Sequence, residues 1–117
     1  MTFDVTKLYH SPSDFFKFDG SATMKLSAKA AYDLCQEASR RDILVMCVEG
    51  GIWSPGRFGA RLDCIWDGLD PPVTREEAIE NNNEAAAFIR EQSTMVRPNG
   101  APTNAFIFTV CHISEQS

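Results

Sequence analysis

The 117 residues are 44% apolar and 23% charged, with a formal net charge of −5. This composition excludes disorder, whose signature is low hydrophobicity at high charge, and the length suits one domain, because two would each fall near the lower limit of independent stability. The acidic balance excludes direct binding to nucleic-acid phosphates, which needs clustered Lys and Arg, and the longest apolar run, Ile43 to Val48, is far short of the roughly 20 residues that cross a bilayer.

Residues 1–14 read as an N-terminal arm: a short strand, Phe3 to Tyr9, then the turn-forming Ser11-Pro12-Ser13-Asp14. No basic region followed by an apolar stretch opens the chain, so a cytoplasmic location is expected. Phe15 to Leu26 alternates Phe16 and Phe18 with Lys17 and Asp19, which predicts a bulged strand or a hairpin around Asp19-Gly20. Ser27 is suited to cap a helix over Ala28 to Arg40, where Ala28, Ala31, Cys35 and Ala38 recur at helical spacing. The pair Arg40-Arg41 suits the negative end of that helix and is no nucleic-acid patch.

Ile43 to Val48 is apolar on both faces, as in a central strand covered on both sides, and Gly50-Gly51 is expected to end it. A loop, Ile52 to Gly59, leads to a half-exposed strand over Ala60 to Trp66, with Leu62, Cys64 and Trp66 on one face and Arg61, Asp63 and Ile65 on the other. After the loop Asp67 to Val73, the capping box Thr74-Arg75-Glu76-Glu77 starts a second helix, Arg75 to Gln92. Asn81-Asn82-Asn83 lies inside it although asparagine is a poor helix former; either Asn82 touches a partner or another backbone, or the helix breaks and Asn83 caps a second piece. Arg97 to Pro102 reads as a loop, and Asn104 to Ile113 as a last strand with Phe106, Phe108 and Val110 facing the core.

This order predicts an α+β domain with a ferredoxin-like βαββαβ sandwich, two helices on one face of an antiparallel sheet, preceded by the arm. The second sheet face is then solvated, or covered by the arm or by a second copy in a homodimer. Cys35, Cys47, Cys64 and Cys111 form no Cys-x-x-Cys pair and sit among apolar neighbours, so buried free thiols are expected rather than zinc ligands or disulfides.

Two clusters are candidate contact surfaces. Trp53, Arg57 and Phe58 stand among glycines and a proline, and Trp and Arg are enriched at binding hot spots; the alternative is a lid of Trp53 and Phe58 folded over the core. Asp63, Asp67 and Asp70 surround Trp66, with Glu49 across the hairpin, as a surface for the Lys and Arg of a basic partner or as a solvated rim. The string Leu62 to Leu69 resembles an acidic stretch of barstar, a ribonuclease inhibitor, over eight residues only, in a region that is helical there; no family is assigned from it. Catalytic machinery is thin: neither His10 nor His112 has a Ser, Cys or acidic partner in a recognised motif, and Cys111 and His112 point to opposite faces. No metal or cofactor is expected. The expected function is therefore a non-enzymatic inhibitor of immunity type, which binds a protein partner such as a basic toxin or effector by surface complementarity. A small enzyme or ligand-binding domain with a pocket at the Trp53 loop, where Glu49, Asp63 and His112 converge, is the first alternative; a homodimeric structural domain is the second.

Overall fold

Ser27 accepts a hydrogen bond from the Ala30 N–H at 3.3 Å and opens helix Ala28–Arg40, as its sequence predicts. In the computed structural model, which describes residues 3–95, 100 and 102–113, the elements are β1 (Leu8–Tyr9), α1 (Pro12–Phe18), β2 (Lys25–Ser27), α2 (Ala28–Arg40), β3 (Ile43–Ser54), β4 (Arg57–Asp67), α3 (Arg75–Thr94) and β5 (Ala105–His112). The strands form one sheet in the order β1-β2-β5-β3-β4. Its pairs are antiparallel except β1 with β2, which run parallel.

The α+β class stands, with the βαββαβ order carried by β2-α2-β3-β4-α3-β5. The sheet, however, is mixed rather than antiparallel, and a third helix, α1, takes the place of the start of the bulged strand or hairpin predicted over Phe15 to Leu26, of which only the end, in β2, is strand. The reason lies in Ser11-Pro12. Ser11 accepts from the Ser13 N–H and Pro12 occupies the first helical turn, where its missing donor is no loss. The alternation of Phe16 and Phe18 resembles strand spacing, but Phe15 is the residue that turns inward. The N-terminal strand is likewise shorter than Phe3 to Tyr9, because Asp4 draws Thr6 into a local turn through its carboxylate. The predicted loop Arg97 to Pro102 lies mostly outside the described residues.

α2 and α3 share one core with the sheet. Ala30, Leu34 and Ala38 of α2 and Ala85, Ala86 and Ile89 of α3 meet Ile43, Val45 and Val48 of β3 and Phe106 and Phe108 of β5. The arm joins the same core through Tyr9, and α1 does so through Phe15, whose ring lies 6.1 Å from that of Phe108. α3 begins at the predicted capping box, in which the Thr74 hydroxyl accepts from the Glu77 N–H and the Glu77 carboxylate accepts from the Thr74 N–H. Arg75 pairs with Asp42 and ties the start of α3 to the α2–β3 turn.

All four cysteines are free thiols, Cys35 and Cys64 buried, Cys47 and Cys111 half-buried. Burial pushes the Cys35 thiol up to about 12. An unfolded chain releases that proton near pH ~8.5. As pH climbs from about 9 towards 12, the unfolded state therefore ionises while the folded state does not, and stability falls. Denaturant titrations at pH 8 and pH 10.5 should show this decline, and Cys35→Ala should reduce the slope while lowering stability at both.

Candidate protein-binding face

The β3–β4 hairpin carries most of the predicted contact residues, and it is longer than expected. Both strands continue through the predicted loop to a two-residue turn, Pro55-Gly56, in which Gly56 takes a φ of +77° that other residues rarely adopt. Gly51 does not end the strand; it permits a close crossing. A Cβ at Gly51 would lie 2.4 Å from the Gly59 carbonyl oxygen and 2.7 Å from the Phe58 ring. Phe58 thus lies over bare backbone, directly opposite Trp53, and both are half-buried. The Trp53 N–H donates to Asn104 Oδ1 at 2.7 Å, which fixes this end of the hairpin to the entry of β5. Arg57 is exposed beside the turn.

In the middle of the hairpin β4 bulges. Ala60 lies opposite Gly51 and Ile65 opposite Glu49, so Arg61, Leu62, Asp63 and Cys64 of β4 face the single residue Gly50 of β3. Cys64 turns inward and is buried. Its Sγ lies 2.4 Å from where a Gly50 Cβ would stand, and 3.5 Å from Thr103 Oγ1. Arg61 Nη1 also reaches Thr103 Oγ1, at 3.5 Å. Leu62, expected on the face of Cys64 and Trp66, is instead 89% exposed, because the bulge breaks the alternation on which that expectation rests.

Beyond the bulge the ladder forms rows across three strands. Trp66, Val48 and Phe108 stand side by side on the helix face, where Trp66 packs against the core. The next rows face the other way: Ile65, Glu49 and Ile107, then Asp67, Cys47 and Thr109. Trp66 is therefore not at the centre of the acidic cluster. The residue the carboxylates do surround is Ile65, 43% exposed, with Glu49 opposite it and Asp67 beside it, and Asp63 is exposed at the bulge. The half-buried Cys47 thiol reports this charge: it is pushed up first by burial and then by the charges of Asp67 and Glu49.

Leu69 and Asp70 follow on a loop that α3 holds. The Gly68 N–H donates to the Met46 carbonyl at 2.8 Å, and the Leu69 N–H to Asn81 Oδ1 at 2.8 Å. Asn81 Nδ2 donates to the Val45 carbonyl at 2.8 Å. Asn82 Oδ1 accepts from the Val45 N–H at 3.0 Å, and Asn82 Nδ2 donates to the Ile43 carbonyl at 2.8 Å and to Ser39 Oγ at 3.1 Å. Of the two readings of the asparagine run, contact with another backbone is the observed one, and α3 continues unbroken through it.

The arrangement expected of a small enzyme is not formed. His112 lies opposite Ile43, whereas Glu49 lies opposite Ile107. Five residues of strand separate these positions, roughly 16 Å at 3.3 Å per residue, so Glu49, Asp63 and His112 do not converge. A groove of about 420 Å³ between α2 and α3, lined by Tyr32, Gln36 and Arg90 among others, and one of about 480 Å³ beside Phe16, Ser21 and His112 lie away from the Trp53 hairpin. Among the described residues no group of three or more His, Cys, Asp or Glu side chains is placed to hold a metal ion, and no helix is long and apolar enough to cross a membrane.

Comparison with known proteins gives this face its context. Residues 24–111 match the family model for the colicin E5 Imm protein. The chain is similar to the immunity protein CdiI of Burkholderia pseudomallei, at 50% identity over 93 residues, covering 80% of this chain and 85% of that protein. It is also similar to the colicin E5 immunity protein of Escherichia coli, at 31% identity over 68 residues, covering 58% of this chain and 82% of that one. A model spanning the core from β2 to β5, and a relative sharing half its residues along most of both chains, together show that this protein belongs to the colicin E5 immunity protein family and is an immunity-type, toxin-neutralising protein rather than an enzyme.

Proposed function

We propose that the protein neutralises a basic toxin by laying the outer face of β3 and β4 against it. The observation that carries this reading is the pair of outward rows in which Glu49 and Asp67 flank the exposed Ile65, with Asp63 and Asp70 at either end. Such a patch is apolar at its centre and anionic at its rim, the arrangement in which the centre supplies affinity while the rim speeds encounter and rejects wrong partners. Trp53, Phe58 and Arg57, at the far end of the same hairpin, extend the contact. Trp66 acts through the strand it packs rather than by touching the toxin. The names of the relatives, immunity proteins to colicin E5 and of the CdiI type, support a protein toxin as the partner. Four free thiols suit a reducing, cytoplasmic compartment.

Cells that express the toxin matched to the Burkholderia CdiI relative, or colicin E5, test this reading. Co-expression of the wild-type chain should restore growth against at least one of them, and the Asp67→Lys, Glu49→Lys double variant should not, although it accumulates to the same level. Equal protection by the two proteins would contradict the assignment of the face.

A further inference from the structure

Leu62 is exposed to an extent that no other large apolar side chain approaches among the described residues: 89%, against 48% for Val5, 45% for Leu69 and 43% for Ile65. It stands on the bulge of an edge strand, where four residues of β4 face one of β3. The bulge is held from below. Cys64 fills the space left by the missing side chain of Gly50, and the Thr103 hydroxyl, itself 1% exposed, meets both Cys64 Sγ and Arg61 Nη1 at 3.5 Å. Two neighbours of Leu62 in the bulge are thus tethered to one buried group while Leu62 points outward. The backbone that carries Leu62 is thereby fixed before binding, so less ordering of the bulge is needed when a partner covers the side chain.

We infer that Leu62 is the apolar anchor of the toxin interface, entering an apolar pocket whose rim carries the basic groups that meet the acidic residues beside the bulge. The inference rests on the proposed neutralisation and adds to it the residue that fixes register on the partner. Thr103 is a positioning residue: too buried to touch the toxin, it acts through the bulge.

Calorimetry or surface plasmon resonance with the two purified toxins tests this. Leu62→Ala should leave the melting temperature unchanged and weaken binding about 30-fold, the hot-spot threshold of ~2 kcal/mol converted at ~1.4 kcal/mol per tenfold. Thr103→Val should weaken binding less, and in the double variant the two losses should not add, because a loosened bulge matters only while it carries Leu62. Unchanged affinity in Leu62→Ala, with Asp67→Lys still weakening the complex, would overturn the anchor and leave the acidic face standing. Additive losses would overturn the role of Thr103. Binding of neither toxin by the wild-type chain would overturn the neutralisation reading itself. A dimer dissolved by Leu62→Ala at unchanged toxin affinity would assign the knob to a second copy and overturn the inference.

Discussion

Asn82→Ala is expected to destabilise the protein by about 2–5 kcal/mol, and to lower its melting temperature by roughly 10–20 °C. Asn82 is fully buried, and its amide serves two backbone groups of β3 that are equally out of reach of water: the Val45 N–H and the Ile43 carbonyl. Truncation strands both, and an unsatisfied buried polar group costs about 1–3 kcal/mol. It also leaves Ser39 without the bond from Asn82 Nδ2. The position matters because β3 shifts register against β5 between Val45 and Cys47, and Asn81 and Asn82 bond Val45 on the near side of that shift. Asn82→Asp tests the donor role separately, since it keeps the acceptor for Val45 and turns an oxygen towards the Ile43 carbonyl. Asn83→Ala, one residue further along the helix and exposed, should change stability by less than about 0.5 kcal/mol. An Asn82→Ala variant as stable as Asn83→Ala in denaturant titrations would contradict the clamp, since alanine is the better helix former at both positions.

The second large effect is on association. In the Asp67→Lys, Glu49→Lys double variant the outward rows around Ile65 exchange two negative charges for two positive ones, while the ladder beneath is untouched. Against a basic toxin the association rate should fall roughly 10- to 100-fold at low salt, within the range over which charge steers encounter. Stability should move little, because both side chains are exposed and neither belongs to an ion pair among the described residues. Stopped-flow mixing at several ionic strengths checks this. The gap between the variants should narrow as salt shortens the screening length. A gap that is constant with salt would mean that the substitutions disturb packing rather than the field.

The sequence is legible here where one element obeys one period. α2, α3 and the core of β5 follow from the spacing of their apolar residues and from Ser27 and Thr74 as caps, and the doubly apolar run Ile43 to Val48 marks a central strand. The failures occur where a local signal has two readings. Ser11-Pro12 is both a turn former and a helix start, and only the burial of Phe15 decides between them. Gly50-Gly51 reads as a strand end, yet these residues are glycine because Cys64 and the Phe58 ring and Gly59 carbonyl occupy the space of their side chains. That is a property of the partner strand, which no local pattern carries. The bulge that exposes Leu62 is hidden for the same reason: alternation along β4 places Leu62 beside Cys64 and Trp66, and only the count of residues opposite Gly50 shows otherwise. Of the candidate site, the acidic residues and the hairpin were visible as residue types, whereas the separation of Trp66 from Asp63 and Asp67 depends on which face each row takes.

The arm shows how the fold extends past its family core. The family model begins at Met24, yet Tyr9 and Phe15 are buried in the common core and β1 adds a strand beside β2. The sheet edge opposite the arm is formed by β4.

Amide hydrogen exchange of the full chain, with and without the toxin it binds, tests the central claim most directly. Slowed exchange across Cys47 to Glu49 and Leu62 to Asp70, with the α2–α3 groove around Tyr32 and Arg90 unchanged, is the result this account predicts. Protection confined to that groove, with the β3–β4 hairpin exchanging as in the free protein, would contradict it.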